Sequence, residues 1–127
     1  MKLRYLANDG PRIAPSPRPP AVLIDMGDAQ ALVELGPEGV DLPLRGGVLD
    51  VDLKLGGASL SFAIDGVSEE DIVEIREVTS GRLEAHVRHS SGAFRARPCR
   101  IRCADGTEGQ PCVTCTGSDG RSMRVCC

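Results

Sequence analysis

From Val48 to Leu55 the chain alternates without a break: Leu49, Val51, Leu53 and Leu55 are aliphatic, and Asp50, Asp52 and Lys54 between them are charged. A period of two sends successive side chains to opposite faces of an extended strand, so this stretch fits a sheet with one face in a core and one in water. Gly56-Gly57 follows, and Leu60, Phe62 and Ile64 then repeat the pattern over Ser59–Ile64. The two runs predict a β-hairpin.

The rest of the chain reads the same way. Ala21–Met26 and Gln30–Leu35 are short apolar runs around Gly27-Asp28-Ala29, and Gly36-Pro37-Glu38-Gly39 is a turn signal. Residues 68–78 carry two patterns. Ser68-Glu69-Glu70-Asp71 resembles a helix N-cap, with Ile72, Ile75 and Val78 at helical spacing. Val73 and Ile75, however, alternate with Glu74 and Arg76, and the pattern continues beyond Thr79-Ser80-Gly81 in Leu83, Ala85 and Val87. A turn at 67–71 followed by a hairpin is the preferred reading, with a short helix as the alternative. Further strands are expected at Phe94–Cys103, Pro111–Thr116 and Arg121–Cys127, separated by loops at 104–110 and 117–120. Short strands with a turn signal every 8–12 residues predict an all-β fold, an antiparallel sandwich or partly open barrel.

Residues 11–20 contain five prolines, which fix φ and remove backbone donors. The expectation is a disordered, proline-rich arm over 1–20, a β domain over 21–98 and Cys-rich hairpins over 99–127 continuous with it. At 127 residues the chain can bury a core without a metal or disulfide. That core must be aliphatic, since the aromatics are Tyr5, Phe62 and Phe94. So few rings leave no stacking platform for single-stranded nucleic acid.

Charge is split along the chain. Residues 1–81 hold 7 basic and 14 acidic side chains, net −7, and residues 82–127 hold 8 and 4, net +4. The eight are all arginine: Arg82, Arg88, Arg95, Arg97, Arg100, Arg102, Arg121 and Arg124. A net of +4 over this length falls short of a nucleic-acid footprint, so the expectation is strand faces paired with the acidic half. The first ten residues lack the apolar stretch of a signal peptide, and no apolar run has membrane-spanning length. The default expectation is therefore the cytoplasm, where structural disulfides are uncommon.

All six cysteines nevertheless fall in the last 29 residues: Cys99, Cys103, Cys112, Cys115, Cys126 and Cys127. Such clustering implies a sulfur chemistry of the tail's own, and three readings compete. A structural zinc site would use Cys99-x3-Cys103 and Cys112-x2-Cys115, with Cys126 or Cys127 as substitutes. In strands, however, Cys99 and Cys103 lie about 13 Å apart, and Cys112 and Cys115 face opposite ways. Cross-strand disulfides fit strands better. A hairpin closed by 104–111 would oppose Cys103 to Cys112, and a loop at 117–121 would bring Cys112 or a neighbour opposite Cys126. The third reading is a precursor whose Cys/Ser/Thr-rich tail is enzymatically modified.

Catalytic signals are weak. Cys112-Val113-Thr114-Cys115 has a redox spacing but runs into Thr-Gly-Ser-Asp-Gly, a turn, rather than the helix that would activate a thiol. His86 and His89, three apart on a strand, face opposite sides. Asp50/Asp52 and Glu69-Glu70-Asp71 lack the glycine-punctuated spacing of a calcium loop. The sequence thus predicts a non-enzymatic binding or assembly module with a protein partner, no nucleic acid, no membrane span and, if any cofactor, zinc.

Overall fold

The computed structural model describes residues 1–7, 18–79, 82–89 and 99–127. These residues form twelve strands: β1 Lys2–Leu6, β2 Ala21–Asp25, β3 Gln30–Glu34, β4 Val40–Asp41, β5 Val48–Leu55, β6 Ala58–Asp65, β7 Ile72–Thr79, β8 Arg82–Arg88, β9 Arg100–Cys103, β10 Glu108–Gly109, β11 Cys112–Thr116 and β12 Ser122–Cys126. Among the described residues there is no helix. One sheet has the order β11-β12-β8-β7-β1-β4, and the other β10-β9-β6-β5-β2-β3. Both sheets are open, and together they make a sandwich.

The β5–β6 hairpin is the backbone of the second sheet. Its register pairs Val51 with Phe62 and Leu53 with Leu60 around the Gly56-Gly57 turn, where Gly56 takes φ +64°. The alternation read in the sequence is the burial observed: Leu49, Val51, Leu53, Leu55, Leu60, Phe62 and Ile64 face inward. Opposite them, Leu3, Val73, Ile75, Ala85, Met123 and Val125 of the first sheet close the same core. Burial of such aliphatic area is the main favourable term in folding and scales with the area removed from water.

The 68–78 segment resolves as turn and strand. Asp71 N–H donates to Ser68 C=O (3.0 Å), and the Asp71 carboxylate accepts from Ser68 N–H (2.9 Å). Ile72–Thr79 then pairs antiparallel with β8. The period of two wins because Val73 and Ile75 reach the core, a burial that a lone short helix would not give them.

Two features depart from expectation. The chain does not begin folding near Ala21: Lys2–Leu6 is a strand inside the first sheet, with Leu3 and Tyr5 buried. It lies parallel to β7, with Leu3 opposite Val73 and Tyr5 opposite Ile75, and antiparallel to β4. The expected disordered arm over 1–20 is thereby corrected for residues 1–7, because their apolar pair fills the core between β4 and β7. Residues 8–17 lie outside the described residues. The second departure is pairing direction: β1–β7 and β12–β8 are parallel, whereas the second sheet is antiparallel throughout.

Candidate functional site: the disulfide-stapled edge

The structure joins all six cysteines, as Cys99–Cys127, Cys103–Cys115 and Cys112–Cys126. The hairpin of β11 and β12 puts Cys112 directly across from Cys126, with Cα atoms 4.1 Å apart. Cys127 N–H donates to Pro111 C=O (2.8 Å) at the neighbouring pair, so Cys112 and Cys126 occupy a non-hydrogen-bonded position, where antiparallel strands approach closest. The expected opposition of Cys112 to Cys126 is met.

The expected Cys103–Cys112 bridge is not. Residues 104–111 are not a simple loop between paired strands. Cys103 N–H donates to Thr107 C=O (2.7 Å), Gly106 N–H donates to Cys103 C=O (3.0 Å), and Gly106 takes φ +93°. The Asp105 carboxylate accepts from Thr107 N–H, which, with the Thr107 hydroxyl, holds its pKa below the ordinary range. This tight turn folds the chain back as β10, which takes the ladder positions beside β9. Gln110 and Pro111 then carry the chain to the other sheet.

The consequence is a different partner for Cys103. It faces inward from β9 in the second sheet, Cys115 faces inward from β11 in the first, and their Cα atoms are 5.3 Å apart. Cys99, just before β9, reaches Cys127, just after β12, with Cα atoms 6.1 Å apart. Two bonds therefore tie sheet to sheet along one edge, and the third closes the hairpin at that edge. These separations lie in or near the range a disulfide spans.

The zinc grouping is not assembled. Cys112 and Cys115 leave β11 on opposite faces, as strand geometry requires, and each is bonded elsewhere. Among the described residues no three His, Cys, Asp or Glu side chains gather to hold a metal. His86 stands beside Glu84 (3.1 Å) and His89 beside Asp71 (3.3 Å).

A second cluster escaped the sequence reading. Glu74, on the outer face of β7, is 1% exposed beneath Arg4, Arg76 and Arg88, at 2.6, 3.1 and 2.6 Å. Burial pushes its pKa up, but hydrogen bonds from the three arginines outweigh that and lower it from 4.5 to about 2. Glu74 and Arg76 two apart on one face was the legible part; Arg4 comes from a strand 70 residues away. The expectation that tail arginines pair with the acidic half holds for Arg88 with Glu74 and for Arg102 with Asp65 (3.9 Å), whereas Arg100 pairs with Glu108 (2.7 Å) and Arg121 with Asp119 (3.2 Å), inside the basic half itself. Arg95 and Arg97 lie outside the described residues. No helix among the described residues is long and apolar enough to cross a membrane.

No protein-family model, curated protein or solved structure matches this chain.

Proposed function

We propose that this chain is a non-enzymatic recognition module, a β-sandwich locked for service in an oxidising environment. The observation that carries the reading is that two of three disulfides run between the sheets. Such bonds fix the relative placement of the two sheets, and so of the turns that each contributes to the ends of the sandwich. Turns held on a rigid frame are the usual place for binding residues. A reducing cytoplasm keeps thiols reduced, so three structural disulfides favour an extracellular or similarly oxidising location over the cytoplasm expected from the sequence.

The reading is tested on protein isolated from its native source without reductant. Alkylation after unfolding should label no cysteine, and the mass should fall short of the reduced chain by two hydrogens per bridge. Peptide mapping should recover the three pairs found here. Six alkylated thiols, or one zinc per chain released by a chelator, would remove the reading.

A further inference from the structure

At one end of the sandwich, turns of both sheets surround a cavity of about 650 Å³ whose lining includes Tyr5, Leu55, Leu83, Arg18, Arg82 and Arg121. The first sheet supplies Tyr5 from β1, Arg82 and Leu83 from the start of β8, and Arg121 from the β11–β12 turn. The second supplies Leu55 from the end of β5 and Arg18 on the approach to β2. A cavity of this size, with apolar walls and a few convergent polar groups, has the proportions of a small-molecule site.

Among the described residues its charge is unbalanced. Arg121 is paired, its Nε 3.2 Å from Asp119, but among the described residues no carboxylate pairs with Arg18 or Arg82. Three arginines lining one concave space favour positive potential there, and a guanidinium group offers forked donors suited to carboxylate or phosphate oxygens. Tyr5 and Leu55 are buried beside them and give the same space an apolar wall.

The wall is also built before any ligand arrives. Ser59 N–H donates to Ser118 Oγ, and Ser118 N–H donates to Ser59 C=O, both at 2.9 Å, tying the β11–β12 turn to the β5–β6 hairpin. Gly117 permits this approach, since a Cβ there would sit 2.9 Å from Ser59 O. The Asp119 carboxylate accepts from Arg121 N–H (2.9 Å) and holds that residue at the mouth. The Cys112–Cys126 bond closes the hairpin on which Arg121 rides.

We propose that this cavity binds an organic anion, with a carboxylate or phosphate group held by Arg18, Arg82 and Arg121 and an apolar body against Tyr5, Leu55 and Leu83. The proposal rests on the recognition-module reading and names its ligand class. The chain supplies its own reporter: Tyr5 is the single tyrosine and there is no tryptophan, so tyrosine emission reads this cavity directly.

The full-length oxidised protein is titrated with decanoate, decyl phosphate, decanol and inorganic phosphate while tyrosine emission is followed. One of the two anionic amphiphiles should bind saturably and at least about ten-fold more tightly than decanol or inorganic phosphate, given the strength of charge-assisted hydrogen bonds. Which of the two wins identifies the headgroup. Arg18→Gln and Arg82→Gln should each weaken binding by about three- to ten-fold, more so together, and added salt should weaken it further. Arg124→Gln, on the same hairpin but away from the cavity, should bind like the parent. Affinity for both decanoate and decyl phosphate no greater than for decanol, or a double variant that binds like the parent, overturns the proposal. Intact disulfides with no response from any probe would sink the cavity proposal and spare the module reading. Free thiols in the native protein would do the reverse, leaving the titration to decide the cavity.

Discussion

A carboxylate can remain ionised beneath a layer of side chains only if cations replace its water, and Glu74 has three. Its folded-state pKa of about 2 lies below the ordinary 4.5, so the cluster's contribution is fully present above the unfolded value and is lost as pH falls through about 2. The arginine side chains are 30, 43 and 58% exposed, so water screens them and the net contribution is on the order of 1–2 kcal/mol. Glu74→Gln should therefore destabilise by about that amount at neutral pH. The gap to the parent should close between pH 4.5 and 2. Thermal unfolding across that range measures it, and a gap that persists at pH 2 would mean that Glu74 acts through packing rather than charge. Gly117 is a residue-scale constraint of another kind. Gly117→Ala places a methyl 2.9 Å from Ser59 O and should cost about 1–3 kcal/mol by forcing the turn off the β5–β6 hairpin, read in a denaturant melt.

At the scale of elements, inward positions should dominate stability wherever they lie along the chain. Leu53→Ala and Phe62→Ala should each destabilise by about 2–5 kcal/mol, because both side chains are buried between the sheets. Asp52, whose carboxylate accepts from Ser61 on the outer face, should lose only about 0.5–1 kcal/mol on truncation. Leu3→Ala belongs with the first pair, at about 2–5 kcal/mol. An exposed arm would tolerate it, so urea unfolding of this variant distinguishes a docked β1 from a free one. These cases also show what sequence could and could not convey. Alternation marks which face of a strand is buried, and for β5 and β6 it did so residue by residue. It does not name the strand's neighbour. Leu3 and Tyr5 alternate with Lys2 and Arg4, yet five residues ahead of a proline run carry little signal, and their partner β7 lies some 70 residues away in a parallel ladder. β4 and β10 are two residues each, too short for any period to show. The cysteine pairing failed for the same reason: Cys112 opposite Cys126 follows from a local hairpin, but Cys103 with Cys115 depends on β10 sending the chain to the other sheet. The arginine-lined cavity draws on five separate stretches and has no local signature.

For the molecule as a whole, the question is what the sulfur adds to a domain already large enough to bury a core. In the chain-entropy view each bridge restricts the unfolded state by about 3 kcal/mol for loops of this size, so on that account the separations of 12 and 14 residues make Cys103–Cys115 and Cys112–Cys126 nearly equivalent. Their surroundings differ. Cys112–Cys126 joins strands whose ladder hydrogen bonds already hold them, and Cys112 is partly exposed. Cys103–Cys115 joins two sheets that share no ladder, and its sulfurs are part of the core. Removing Cys103–Cys115 therefore opens a cavity and leaves Cys99–Cys127 as the remaining disulfide between the sheets, in addition to loosening the unfolded chain. Cys103→Ala with Cys115→Ala should lower the melting temperature by roughly 10–15 °C, and Cys112→Ser with Cys126→Ser by about 10 °C or less, taking the unfolding entropy of a chain this long. Scanning calorimetry of the two double variants beside the oxidised parent measures the order. If the hairpin bond proves the costlier to lose, the apolar faces and Cys99–Cys127 suffice to hold the sheets together, and Cys103–Cys115 does not by itself set the geometry of the sandwich end.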